Sequence, residues 1–172
     1  VFGYRITKYN PQDRNELGHY QKKDWIGIDD IGKTFDKKKL TLQKYLQVEA
    51  AYAQTIIYIM DYLNLESLTL KNFTKLKLTH PELLNQEMLN VYNNTINDEQ
   101  IDKIKAFLLT KLLLREEIAG IFENKEMFVH FGYDYYMYIG SSKELPQDLR
   151  NKIENLGLFV EDFESPYLPD ND

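Results

Sequence analysis

The 172-residue chain predicts an α+β fold, a small mainly antiparallel sheet packed on one face by two long amphipathic helices. Three changes of apolar spacing predict it. Phe2, Tyr4 and Ile6 alternate with Gly3, Arg5 and Thr7, the period of a strand with one buried face. From Leu42 the spacing shifts to threes and fours, and past Phe128 it returns to short aromatic runs broken by turn residues. With 43% hydrophobic residues and no internal repeat, the chain can bury one good core, which fits a single globular domain over residues 1–172.

The first strand ends near Tyr9, where Asn10 and Pro11 open a polar stretch. The segment from Asn10 to Lys39 reads as a long loop with one short helical turn, and it carries Trp25, Ile26, Ile28 and Ile31 among Gly27, Asp29, Asp30 and Gly32. Loops of that length in compact domains are commonly functional. Tyr45, Leu46, Val48, Tyr52, Ala53, Ile56, Ile59, Met60 and Leu63 form the stripe of the first long helix, N-capped by Thr41. A short strand near Leu68 to Leu70 follows, then a helix from Pro81 to Tyr92 with proline in its first turn. Asn97 followed by Asp98, Glu99 and Gln100 predicts the capped start of the second long helix, continued to about Gly120 by Ile101, Ile104, Phe107, Leu108, Leu112, Arg115, Ile118 and Phe122. The two long helices are expected to pack together and bury Tyr52, Ile56, Ile104, Leu108 and Leu112. Phe128 to Phe131 and Tyr135 to Ile139 predict a hairpin around Gly132, Tyr133 and Asp134, with one bent strand carrying a glycine bulge as the alternative. A short helix from Pro146 to Leu156 stops at Gly157, and Leu158 to Phe163 reads as a last strand with acids on both faces, as at a sheet edge.

Charge is distributed unevenly. The last twenty residues hold Glu154, Glu161, Asp162, Glu164, Asp170 and Asp172 and no Lys or Arg, whereas the other 152 balance 21 acids against 21 bases, so the net charge of -6 is local. A local acidic field steers basic partners and repels nucleic acid. Tyrosines suit half-buried strands and also the cores of protein interfaces. The expected binding set is therefore Tyr133, Asp134, Tyr135, Tyr136 and Tyr138 with Glu161, Asp162 and Glu164 as its rim.

Other chemistry finds little support. The absence of cysteine removes disulfides, thiolate metal sites and thiol nucleophiles, and fits a reducing, cytoplasmic compartment. No apolar run approaches the roughly twenty residues of a membrane span, and the N-terminus lacks a basic region followed by an apolar one. Val1 implies that an initiator Met or a few residues precede it. His19, His80 and His130 have no metal-ligand spacing, and no nucleophile elbow, P-loop or dinucleotide fingerprint occurs, so no metal and no cofactor is expected. His130 is placed on the solvent face of its strand near Asp134. The alternative reading is a small hydrolase or small-molecule-binding protein that uses Asp134, His130 and the loop from Trp25 to Asp30 at a cleft beside the sheet.

In size, acidity, lack of cysteine and α+β pattern, and in the stretches FVHFGYDYYMYIG and LFVEDFESPY, the chain resembles the small immunity proteins that bacteria make against their own secreted toxins. The resemblance is one of type and assigns no role to an individual residue. It implies a binding module, not an enzyme, that blocks a basic toxin domain with an acidic, tyrosine-containing face. A homodimer joined through the tyrosine face is a third reading.

Overall fold

In chain order the elements are β1 (Phe2–Thr7), β2 (Thr34–Phe35), β3 (Lys38–Lys39), α1 (Leu42–Tyr62), β4 (Ser67–Lys75), α2 (Gln86–Asn94), β5 (Gln100–Asp102), α3 (Lys103–Leu114), β6 (Ile118–Asn124), β7 (Met127–Phe131), β8 (Met137–Ser141), α4 (Gln147–Glu154) and β9 (Phe159–Asp162). They are seen in a computed structural model that describes residues 1–170, so Asp172, the last of the predicted acids, lies outside the described residues. Seven strands form one antiparallel sheet in the order β5-β4-β6-β7-β8-β1-β9. The fold is α+β, as the changes of period predict, with a wider sheet than expected. No helix among the described residues is long and apolar enough to cross a membrane.

Register explains the core. Ile6 faces Met137, Tyr4 faces Ile139, Ile139 faces Val129, Val129 faces Phe122 and Phe122 faces Leu70, so one apolar row crosses five strands on one face. Helix α1 lies on that face packed along α3, and α3 packs against α2. Thr41 Oγ1 accepts a hydrogen bond of 3.1 Å from Lys44 N–H and starts α1 where its stripe begins. Tyr45, Tyr52, Ile56, Ile59 and Met60 of that stripe are fully buried.

The second long helix differs from its expected bounds. It starts at Lys103, capped by the Asp102 carboxylate at 2.8 Å, and ends at Leu114, while Gln100 to Asp102 pair with β4. Ile118 and Phe122 belong to β6: two residues four apart fit a helical stripe and also two steps of strand alternation. Backbone geometry decides between the two, because Glu116 takes a left-handed φ of 57° that ends the helix. Ile104, expected in the core, is 73% exposed, since the inward stripe of this shorter helix runs through Ala106, Leu109, Thr110 and Leu113. The helix expected from Pro81 is a single 3₁₀ turn, Pro81–Leu83, followed by α2 with Asn85 as its cap. The hairpin reading around Gly132 holds against the bent-strand alternative, because β7 and β8 pair along their length, but its connection is longer than expected: β8 starts at Met137, so Tyr135 and Tyr136 belong to the loop and not to the strand.

Residues 10–39 are more structured than a loop. They contain 3₁₀ turns at Pro11–Asp13 and Ile28–Asp30, and the β2–β3 hairpin turns at Asp36 and Lys37, whose φ values of 46° and 63° suit its two-residue connection. Trp25 and Ile28 anchor this segment against the core. Beyond β9 the chain crosses the sheet face opposite the helices: Phe163 N–H donates to Gly3 O at 3.0 Å, and Tyr167 packs edge-on against Tyr138 and His130.

Replacing Ile56 by Ala is expected to cost about 2–5 kcal/mol of unfolding free energy through lost burial and a residual cavity. Ile104→Ala should stay within about 0.5 kcal/mol of the parent, as exposed positions do. Urea unfolding of both variants checks the reassigned face of α3.

Candidate functional site

The loop between β7 and β8 is built on an unusual backbone. Asp134 and Tyr135 are consecutive non-glycine residues with left-handed φ values of 57° and 66°, conformations that cost energy unless the surroundings hold them. Two tyrosine hydroxyls hold them. Tyr9 Oη donates to Asp134 O at 2.7 Å, and Tyr52 Oη donates to Tyr135 O at 2.7 Å while accepting from Lys8 N–H at 2.8 Å. The left-handed pair turns the Tyr135 ring inward, where it meets Trp25, Tyr45 and Tyr52 edge-on and its hydroxyl hydrogen-bonds that of Tyr45. The same geometry turns the preceding residue outward, and Tyr133 is 76% exposed.

A second turn lies beside this loop. After α3, Arg115 points inward and donates to both carboxylate oxygens of Glu49 at 2.7 Å, and also to Leu83 O at 3.1 Å. Glu116 then points outward. Glu117 is buried again, its Oε1 accepting from His80 N–H at 3.3 Å and its Oε2 without a hydrogen-bond partner among the described residues. Burial raises the pKa of Glu117. The His80 ring lies between Asp29, at 2.7 Å, and Glu82, at 3.3 Å. Asp30 accepts from Ile26 N–H at 2.8 Å, which fixes the segment and leaves the Ile26 side chain 53% exposed.

These elements enclose a cleft of about 340 Å³, with Ile26, Asp29, Thr79, Arg115, Glu116 and Asp134 in its lining. The Arg115 charge on its wall is taken up by Glu49 and Asp29 is paired with His80, so the exposed carboxylates of Glu116 and Asp134 leave the rim negative. A neighbouring groove shares Glu116 and Gly132 and adds Leu76, Tyr133 and Tyr167. Exposed apolar and aromatic side chains thus stand beside unshielded carboxylates at one end of the sheet. Among the described residues neither Asp134 nor Glu116 has an ion-pair partner.

Of the predicted binding set, this end holds Tyr133 and Asp134. Tyr135 and Tyr138 are buried and cannot contact a partner, Tyr135 because of the left-handed turn and Tyr138 because the tail covers it. Tyr136 is half-buried, stacked on Tyr9, and its hydroxyl accepts from Arg14 at 2.8 Å. Glu161 lies across β1 from Tyr138, as expected of a rim, but Arg5 donates to it at 3.0 and 2.9 Å and Arg14 at 3.4 Å. Asp162 pairs with Arg150 at 2.8 Å. Glu164 is exposed in the tail near Gly3 and stands apart from the cleft. The C-terminal acids therefore do not form the expected free acidic rim, because Arg5 and Arg14 from the start of the chain fold against Glu161 and Arg150 from α4 against Asp162.

His130 is not on a solvent face. It lies under the tail with Nδ1 at 2.8 Å from Ser165 Oγ, and burial lowers its pKa against the opposing charge of Glu123. It lines a groove on the outer sheet face, whereas Asp134 and residues 26–30 line the cleft, so the acid–base set of the alternative reading is not assembled. Among the described residues no three His, Cys, Asp or Glu groups converge as a metal set. Residues 26–30 and Asp134 share the cleft as the alternative reading expected, whereas Glu116 was missed; its signal was the charged run Arg115-Glu116-Glu117 at the end of an apolar helix. Comparisons with protein-family models, curated proteins and solved structures returned no match.

Tyr52→Phe is expected to cost about 1–3 kcal/mol, because it leaves Tyr135 O and Lys8 N–H without their shared partner. Tyr58→Phe serves as the near-neutral control in the same denaturation series. The two histidines give opposite pH dependences. For His80, burial lowers the pKa but the hydrogen bonds and charges of Asp29 and Glu82 outweigh it, so the folded value lies above 6.5. Its contribution is full below 6.5 and is lost as pH rises through the folded value, so the stability gap between the parent and His80→Gln should shrink upward from pH 6.5. For His130, whose folded pKa lies below 6.5, the parent should lose stability relative to His130→Gln as pH falls from 6.5. Unfolding curves across the histidine range check both signs.

Proposed function

We propose that the protein is a binding module that captures a basic protein through the acidic end of its sheet, acting as an inhibitor of the immunity type that blocks a basic toxin domain. The observation that carries this reading is exposed Ile26 beside the unpaired Glu116 and Asp134 carboxylates at one cleft, with exposed Tyr133 on the neighbouring groove that shares Glu116. Aromatic anchors beside a cleft supply the tightly held centre of an interface, and an acidic rim steers a basic partner toward it. A cleft of about 340 Å³ has room for a lysine or arginine side chain of the partner. The hydroxyl bonds from Tyr9 and Tyr52 hold the loop in place before binding, which lowers the ordering cost on association. A hydrolase at the same place is less well supported, since His130 lies elsewhere and Asp29 is engaged by His80.

The test is capture of the partner from the native host, followed by binding kinetics with three variants. Tyr133→Ala should speed dissociation about 30-fold, the scale of a hot-spot loss near 2 kcal/mol. Asp134→Asn combined with Glu116→Asn removes two charges with a residue that tolerates left-handed backbone, and should slow association at low salt with little effect on dissociation. Glu161→Gln changes a carboxylate that lines neither the cleft nor the neighbouring groove and should leave association unchanged. A partner that binds all three variants like the parent would place the interface elsewhere.

A further inference from the structure

A second cleft, of about 450 Å³, is lined by Asp24 and Trp25, the residues just before those that line the acidic cleft, and its charge is opposite. Lys8, Lys22, Lys23, Lys38, Lys39 and Lys44 line it against three carboxylates, Asp13, Asp24 and Asp36. The lysines come from the end of β1, the following loop, the β2–β3 hairpin and the first turn of α1. No run in the sequence brings them together. Like charges gathered in a concavity repel, and six lysines from four segments against three carboxylates leave this cleft positive.

Lys8 separates this arrangement from a solvated basic surface. Its side chain is 5% exposed, its Nζ lies 2.7 Å from Asp24 Oδ2, and it stands over the Trp25 and Tyr9 rings at 4.1 and 4.2 Å from their centroids. Burial lowers its pKa to about 8, against the opposing pull of Asp24. It therefore stays cationic at neutral pH in a site where water solvates it poorly. Lys22 reaches Asp13 at 3.4 Å, while Lys23, Lys38, Lys39 and Lys44 have no ion pair among the described residues. Tyr20, Phe35, Leu40 and Val48 give the same cleft apolar and aromatic walls.

We propose that this cleft binds a small organic polyphosphate of nucleotide size. Several ammonium groups around one cavity match two or more phosphates, the aromatic and aliphatic walls match a flat apolar part, and the volume suits a small ligand. The three carboxylates in the lining, Asp13, Asp24 and Asp36, disfavour the continuous phosphate track of an extended nucleic acid.

Trp25 is the sole tryptophan of the chain, so its emission reports on the cleft directly. The full chain is titrated with ATP, pyrophosphate and inorganic phosphate at low salt, following Trp25 fluorescence and heat of binding in parallel. ATP and pyrophosphate should bind saturably and inorganic phosphate more weakly. The triple variant Lys38→Gln, Lys39→Gln, Lys44→Gln changes exposed residues only and should keep its fold by circular dichroism while losing at least about tenfold in affinity for ATP, the scale of one charge-assisted hydrogen bond. Absence of both heat and fluorescence change with ATP and pyrophosphate overturns the proposal, as does equal affinity of the triple variant. Tighter binding of a single-stranded RNA oligomer than of ATP would make the cleft a nucleic-acid groove and overturn it equally.

Discussion

Glu49 and Arg115 form a two-pronged ion pair in the interior, both N···O distances 2.7 Å and both side chains almost wholly shielded from water. Desolvating two charges is costly, and such a pair persists where geometry and further hydrogen bonds offset that cost. Here Arg115 also donates to Leu83 O, which ties the segment before α2 to the α1–α3 layer. The pair places the end of α3 against the middle of α1, and the chain can then turn at Glu116 and enter β6 in register with β4. Apolar residues of similar volume would pack there without such directional demands. The ion pair instead admits one angular arrangement of α1, α3 and the Leu83 carbonyl, and that arrangement sets where the Glu116 turn meets the β7–β8 loop.

From this pair a chain of buried polar contacts leads to the candidate interface. Tyr45 lies one helical turn before Glu49 and hydrogen-bonds Tyr135; Tyr52, further along the same helix, holds the Tyr135 carbonyl and the Lys8 amide. Each left-handed residue of the loop costs on the order of 1–3 kcal/mol, and the hydroxyl bonds together with burial of the Tyr135 ring offset it. Rigid support beneath an exposed contact is what a site needs to present one geometry to a partner. The outward Tyr133 and the inward Tyr135 are thus two consequences of one backbone choice.

Periodicity made much of the fold legible. The Thr41 cap and the stripe from Tyr45 to Leu63, the paired strands around Gly132, and the short helix before Gly157 each carry a local signal strong enough to survive tertiary context. Residues 118–124 lacked one, because Ile118 and Phe122 satisfy both periods and only the left-handed Glu116 decides between them. The site was harder. Alternation along a strand cannot foresee the inward rotation of Tyr135, and a count of carboxylates cannot foresee that Arg5 and Arg14, more than 140 residues away in the chain, neutralise Glu161. The lysine cleft left only the adjacent pairs Lys22-Lys23 and Lys38-Lys39 in the sequence, since convergence of separated segments is a property of topology.

Two clefts of opposite charge share one strip of chain, Asp24 and Trp25 lining the basic cleft and residues 26–30 the acidic one. How firmly that strip is held decides whether the sites act separately. Trp25 and Ile28 are packed into the core, Asp30 caps Ile26 N–H, and Asp29 is joined to His80. Two buried anchors and two polar ties within six residues leave little room for movement without loss of packing. The net charge of -6 therefore describes neither surface, because the potential at each cleft follows from charges within about one Debye length, roughly 8–10 Å. A stiff shared wall lets both potentials coexist, each fixed before its ligand arrives.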